Sequence, residues 1–584
     1  MSIYKSYGSP VYLYLGLIGF HLVMMFIACG VCLIGSREAA GGNVAGVIAY
    51  LNGTMIKNFF TLRTIGVKFI STIAQMCTGV PGDMEGPIIH LGAAIGNIIP
   101  TYVHSLVHSI RPGSYHGLSN LCTTYERRDL SVCGVAAGLA AGFGAPFSGI
   151  ALTIEETISF FSMSLLQRIV VCAFLCKLIM DNLENFLLTS HFKFTYNLLP
   201  HILSHGLDSN SIPETFIPEF TVVVLYGIIG ALLSVLFMSL AESALFRCHR
   251  FTRKYLMMEA LSHVFFCTTF YFLTIYLFLE YCYPSHEQLH LRSTIPDLRI
   301  KSFTNRILSD WRYSYGGKRS FYKYWPSSLL EVNGSLKDVR MLRQSGVPME
   351  GNCPENTTIL MAFLLSFEKG YHMVVNAEHL QTSLLIPMFL FFYVFSIFFT
   401  RSHCYSSGFF VNHSLIGALW GKLLGKLIRA TMSPKWAHTK KFALLGIAAQ
   451  LSGTTQTPVC IVLMLLEGAY CFENYGPQIF LAAFIARILS GFLHSSIYHY
   501  QLEEMGVPYL AHSTPLQGSV RTANDIILEQ EVIYKTEMVT PVYHLNDLVK
   551  VNKGNYPVVD ADGMLLGDIS QCIIIKLISA KVSL

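Results

Sequence analysis

Charge is what this sequence lacks most. Of 584 residues, only 13% are Asp, Glu, Lys or Arg, against about 25% in a typical soluble protein. The 41 basic and 36 acidic residues nearly cancel, leaving a formal charge of +5, so a basic nucleic-acid binder is excluded. Disorder is excluded as well, because hydrophobic residues make up 52% of the chain and aromatics 13%, with a mean hydropathy of +0.47. Cysteine is present, but the 15 residues are scattered, mostly within apolar runs, and form no disulfide framework. Cys29 and Cys32 make a C-x-x-C inside such a run, where a thiolate would be costly, so simple packing is the reading. A cleavable leader is not evident either: the apolar run from Val11 to Ile34 is too long for one and reads as a span. Its polar interruption, His21, is read as a packed or pore-facing residue.

What remains is a polytopic membrane protein with a soluble appendage. After the first span, candidates are 62–80, 88–110, 130–154, 162–181, 219–244, 259–281, 359–367, 383–400, 409–430, 442–467 and 478–498. Several are too short or too rich in glycine to cross about 30 Å of hydrocarbon alone. Short, Gly/Pro-interrupted segments are the mark of broken helices meeting at mid-membrane around a substrate, which points to a transporter or channel.

Two regions are not membrane-like. Residues 282–358 are polar and carry glycosylation sequons at Asn333 and Asn356. The tail, 511–584, mixes a helix-like stretch (Thr522 to Leu528) with strand-like runs at Tyr556 to Asp560 and Met564 to Asp568. That pattern is a small α+β module. The division expected is therefore a transmembrane domain over 1–510 and a soluble domain over 511–584.

The chemistry gathers in four glycine-rich patches: Gly41-Gly42-Asn43-Val44-Ala45, Glu85-Gly86-Pro87, Gly134 through Phe143-Gly-Ala-Pro146 to Glu155-Glu156, and Ser407-Gly408-Phe409-Phe410-Val411-Asn412. A helix that begins at membrane depth presents unpaired N–H groups and the positive end of its dipole, which suit an anion. Glycine lets the backbone come close to it.

On these residues the chain resembles the CLC family of chloride channels and chloride/proton exchangers, most of all its endosomal and lysosomal branch. The family's G-S-G-I-P falls on Gly41 to Ala45, G-K-E-G-P on Asp83 to Pro87, the long A-A-x-F-x-A-P…E-E segment on Ala140 to Glu156, and G-x-F-x-P on Gly408 to Asn412. Gly446 to Glu467, Ile497-Tyr498 and Val507 to Leu510 continue the likeness, and the tail is similar to one of the family's paired cystathionine-β-synthase (CBS) domains. The resemblance implies an all-α polytopic membrane protein, a CLC-type inverted repeat of broken helices, with a C-terminal cytosolic α+β CBS-like domain. It implies a homodimer in the lipid bilayer, an accessory membrane subunit as a further partner, and a lysosomal or endosomal membrane as the location. Residues 282–358 then form a luminal loop, where Cys282 and Cys353 can meet in an oxidising space.

By the same resemblance the function is voltage-dependent chloride/proton antiport in an acidic compartment. Glu85 is the gating and proton glutamate and Glu156 the internal proton relay. Gly42, Gly86, Phe410, Val411 and Tyr498 form the chloride-binding set, Tyr498 through its hydroxyl and Phe410 and Val411 through backbone N–H groups. Glu155 is read as structural. The bland reading of Glu85 is an acid that caps a helix dipole; that of Glu156 is a snorkelling side chain, and that of Tyr498 an interfacial aromatic. No metal or cofactor is called for, chloride and protons being the substrates. With one CBS-like unit, half of the usual nucleotide cleft is absent, which argues against nucleotide binding.

The departures keep other readings open. The family's serine is Gly42, its glycine is Asn43, and its two motif prolines are Ala45 and Asn412. Gly-Lys before the gating glutamate is Asp83-Met84. The family's first two helices and second CBS domain have no counterpart, as in a truncated gene product. A CLC-type channel and a non-transporting regulatory subunit are therefore alternatives. A remote one is a membrane zinc metalloprotease, because His286-Glu287-Gln288-Leu289-His290 matches H-E-x-x-H.

Overall fold

The computed structural model describes residues 10–110, 124–159, 161–189, 216–248, 256–282, 363, 367–376, 380–399, 404–431, 439–469, 472–506, 536–537, 540–551, 555–560 and 564–579. The chain divides into two compact units, Met1–Leu510 and Ala511–Leu584.

The described residues of the first unit are mostly helical. Its helices are α1 (Pro10–Gly35), α2 (Val44–Leu51), α3 (Leu62–Met76), α4 (Glu85–Ile110), α5 (Thr124–Phe143) and α6 (Pro146–Leu152), the last continued by a π turn over Thr153–Thr157. Then come α7 (Met163–Thr189), α8 (Phe216–Cys248), α9 (Leu256–Cys282), α10 (Phe367–Asn376), α11 (Thr382–Phe399) and α12 (Phe410–Thr431). The last four are α13 (Thr439–Thr455), α14 (Pro458–Ala469), α15 (Phe472–Leu493) and α16 (Ile497–Met505). Among the described residues, four stretches are long and apolar enough to span a membrane: Tyr14–Gly35, Met163–Leu183, Phe220–Glu242 and Tyr475–Glu503. The residues they leave exposed are themselves apolar, among them Phe26, Val171, Leu232 and Phe492. So much uncovered apolar surface is a liability in water and ordinary against lipid.

The inner helices are covered all round. In α13, Leu444, Leu445, Ile447, Ala448, Ala449 and Leu451 are all buried. Two close helix crossings organise this interior. At one, a Cβ added to Gly134 of α5 would lie 2.1 Å from the Gly92 carbonyl oxygen of α4; at the other, a Cβ added to Gly446 of α13 would lie 2.2 Å from the Gly417 carbonyl oxygen of α12. Only hydrogen fits at such contacts, and small residues at crossings are how helices pack tightly in lipid.

Proline sets the breaks. The apolar runs 130–154 and 442–467, read from sequence as single segments, are each two helices. The first breaks at Gly144 (φ 64°) before Pro146, the second at Gln456 (φ 61°) before Pro458. Proline has no N–H to continue a helix and biases the residue before it away from helical geometry, but it suits a first helical turn. The run 478–498 likewise spans the end of α15 and the start of α16. The segment 359–367 falls mostly outside the described residues, as do the H-E-x-x-H at His286 to His290, Asn333, Asn356 and Cys353. His21 is packed: it is buried, with Nδ1 3.1 Å from the Thr268 hydroxyl. Cys29 and Cys32 are buried free thiols, and Cys29 donates to Cys404 at 3.8 Å.

The second unit holds β1 (Thr536–Glu537), α17 (Val542–Val551), β2 (Asn555–Val559), β3 (Leu565–Ser570) and α18 (Gln571–Ser579). The sheet order is β1-β2-β3, parallel between β1 and β2 and antiparallel between β2 and β3. Both strand-like runs therefore fall on strands, and the stretch Thr522 to Leu528 lies outside the described residues. The apolar run Ile573 to Ile578 is part of α18, which places Ile574 in a small core with Leu548 and Tyr556. The mixture of strands and helices is consistent with a CBS-like domain.

Candidate functional site

Segments far apart in the sequence converge on one cavity of about 50 Å³. At about 10–15 Å³ for each water-sized occupant, that is room for roughly three to five, enough for a small ion with a few waters. Its walls include Gly41, Gly42 and Asn43 from the loop before α2, Glu85 and Gly86 from the start of α4, Gly408 to Phe410 at the start of α12, and Tyr498 and Gln501 from α16. Each of these helices begins at the cavity or within a turn of it, so dipole ends and unpaired N–H groups are concentrated there.

The loop before α2 is held rigidly. Gly41 (φ 70°) and Asn43 (φ 60°) take left-handed backbone, and the Gly41 N–H donates to the Tyr405 carbonyl at 2.7 Å. Beneath it lies Lys68, fully buried, whose ammonium donates to the carbonyls of Gly41 (2.9 Å) and Ala39 (3.1 Å). The Asn43 side chain donates to the Glu38 carbonyl, and His90, stacked on Phe59 with centroids 4.2 Å apart, lies beside it. Gly42 and Gly86 touch: a Cβ on Gly86 would fall 2.7 Å from the Gly42 Cα.

The starts of α4 and α12 are tied together. Asp83 and Gly408 exchange backbone hydrogen bonds in an isolated antiparallel bridge, at 2.9 and 3.3 Å. The buried Asp83 carboxylate then accepts the Glu85 N–H on Oδ1 (3.2 Å) and the Val411 N–H on Oδ2 (2.7 Å). Across the cavity, Phe409 packs on Tyr498 with centroids 5.5 Å apart, and Phe143 on Phe410 at 5.7 Å.

Of the residues singled out from sequence, Gly42, Glu85, Gly86, Phe410 and Tyr498 line this cavity together. Val411 does not. Its N–H is bonded to Asp83, so it is not one of the groups turned to the cavity. Glu156 lies off the cavity in the π turn after α6, beside Ser496, and its Oε1 is buried without a hydrogen-bond partner. Glu155 accepts the N–H groups of Val459 (3.3 Å) and Cys460 (2.9 Å) at the start of α14. Lys68 was not singled out from sequence: a lone lysine in an amphipathic helix carries no signal of a buried charge. Asp83 was noted only as a departure from a motif.

A small cavity walled by the starts of broken helices inside a polytopic membrane domain is the architecture of a channel or transporter. The sequence model of the voltage gated chloride channel family matches residues 23–491, and the chain belongs to that family. It is 26% identical over 553 residues to the H(+)/Cl(-) exchange transporter 7 of Bos taurus, and 26% over 548 to that of Homo sapiens. Each match covers 92% of this chain and 60% of the relative. Chloride channel protein C of Dictyostelium discoideum is 23% identical, with 96% and 66% covered. The chain thus spans about 60% of the length of the exchange transporters it matches. Among solved structures, a eukaryotic CLC transporter superposes with a TM-score of 0.57 at 17% identity, covering 99% of this chain and 82% of that one. A slow cyanobacterial Cl-/H+ antiporter does so with 0.57 at 14% identity, covering 86% and 89%. These structures share the fold expected from the sequence.

Proposed function

We propose that this chain is a voltage-dependent chloride/proton antiporter of an acidic intracellular compartment. The observation that carries the reading is the meeting of Gly42, Glu85, Gly86, Phe410 and Tyr498 around one small cavity. Chloride binds there against the Tyr498 hydroxyl and the backbone N–H of Phe410. Glu85 stands in the wall of the same cavity as a carboxylate that competes with the anion, and protonation releases it. Glu156 passes protons toward it from the other side: a buried carboxylate oxygen without a partner is suited to a proton or a water molecule. The relatives named as exchange transporters support this assignment. The working unit is a homodimer in a lysosomal or endosomal membrane, with the α+β tail on the cytosolic side as a CBS-like domain.

The test is reconstitution of the full chain in vesicles with chloride and proton fluxes recorded together. A chloride gradient should drive protons the opposite way. Chloride flux without proton movement would make the protein a channel, and silence of both would make it a non-transporting subunit.

A further inference from the structure

We propose that Asp83 is a built-in anion that holds the seat between the first turns of α4 and α12, and so sets how strongly the cavity binds its transported anion. The inference rests on the chloride reading above and adds to it a residue that the reading does not use.

The carboxylate is buried, 4% exposed, and is placed from both sides. Its own backbone is fixed by the two hydrogen bonds to Gly408. Its oxygens then take one N–H from each helix start, Glu85 at 3.2 Å and Val411 at 2.7 Å, across 328 positions of sequence in the second case. A helix cap satisfies the helix it belongs to. This carboxylate binds two helix ends at once, and both helices run for more than twenty residues, so both dipole ends act on it. The pocket that receives it is shaped to it: a Cβ on Gly408 would lie 1.8 Å from Oδ1, so any other residue at 408 would expel the carboxylate.

Charge-assisted hydrogen bonds of this kind are the strong ones. A diffusing anion that could take the N–H groups of Glu85 and Val411 finds them filled by a competitor at very high effective concentration. It is left with the adjoining cavity, at Phe410 and Tyr498, and with a fixed negative charge beside it. The chain therefore holds its anion more weakly than the same cavity would without Asp83.

The test is anion affinity in the purified full chain, read by titration calorimetry with chloride, beside paired chloride and proton flux in vesicles. Asp83→Gly frees both N–H groups. It should tighten chloride by roughly tenfold or more, the effect of one charge-assisted bond, and lower the chloride concentration that half-saturates the flux. Asp83→Asn keeps the shape but removes the charge, and should fall between. Wild-type coupled flux with unchanged chloride affinity in both variants would overturn the inference and leave the antiport reading standing. So would loss of folded protein in both variants, since Asp83 would then be a structural tie alone. Absence of chloride binding and flux in wild type and variants alike would sink the antiport reading and this inference with it.

Discussion

Glu155 and Glu467 each cap the helix that the other follows or ends. Glu155, just past α6, accepts the N–H groups of Val459 and Cys460 at the start of α14. Glu467, near the end of α14, accepts those of Phe147 (3.0 Å) and Ser148 (2.9 Å) at the start of α6. The reciprocity follows from a repeat in the chain. Pro146 and Pro458 open the two helices, and each glutamate stands nine residues after its own proline. Two residues before each proline sits the left-handed break, at Gly144 and Gln456. Twelve residues before each lies a crossing glycine, Gly134 and Gly446. Two copies of one pattern that cap each other head to tail are what an inverted repeat requires.

Removing either glutamate should therefore uncap a helix start inside the membrane domain. Glu155→Ala and Glu467→Ala each leave two backbone N–H groups without an acceptor, which costs about 1–3 kcal/mol. Each should lower the unfolding midpoint of the detergent-purified protein, with the glutamine variants falling less because an amide oxygen still accepts. Midpoints within error of wild type for both alanine variants would show that water caps these helices as well as the side chains do.

How far the sequence carried can be judged at these same residues. The glycine-rich patches were legible because close backbone approach permits so few alternatives, and the cavity indeed gathers Gly42, Glu85, Gly86, Phe410 and Tyr498. The breaks at Pro146 and Pro458 were missed inside long apolar runs, although the prolines were in plain view, because hydropathy does not distinguish one span from two half-helices. Val411 stands off the cavity for a reason that lies elsewhere in the chain. Its N–H is claimed by a residue 328 positions away, and no local pattern announces such a partner. Lys68 was invisible on the same grounds: its acceptors are backbone carbonyls, which every sequence has.

Coupling should separate the two carboxylates. With Glu85 in the cavity wall and Glu156 buried away from it, Glu85→Ala should leave chloride flux without proton movement. Glu156→Val should likewise abolish proton movement, since an apolar side chain cannot carry a proton through a low-dielectric path. Simultaneous electrode recording in vesicles checks both, and undiminished proton transport in both variants would end the exchanger assignment.

The two glycine crossings should fail alike. An added methyl group at Gly134 or Gly446 meets a carbonyl oxygen at close to 2 Å, so the helices must part. Overpacking of this kind costs about 1–3 kcal/mol or more. Gly134→Ala and Gly446→Ala should thus lower the unfolding midpoint together, whereas Gly66→Ala, where nothing lies within 4 Å, should raise it slightly by favouring helix. A Gly446 variant as stable as wild type would mean that α12 and α13 can separate at little cost.

Gly42 offers the sharpest comparison, because it touches Gly86 yet has room of its own. A Cβ on Gly42 would stand 3.4 Å from both the Gly86 Cα and the Ser407 carbonyl oxygen, a tight but passable fit. A Cβ on Gly86 would instead stand 2.7 Å from the Gly42 Cα, with backbone behind it that cannot yield. Gly42→Ser should therefore fold, and its hydroxyl would sit in the cavity wall, free to donate to an anion. A hydrogen bond to a charged partner contributes about 1.5–3 kcal/mol, so chloride should bind roughly tenfold more tightly, with water offsetting part of the gain. Gly86→Ala should lose stability and anion binding together. Calorimetric titration of chloride into both variants decides the matter: a folded Gly42→Ser protein with wild-type affinity would mean that the bound anion does not reach the loop before α2.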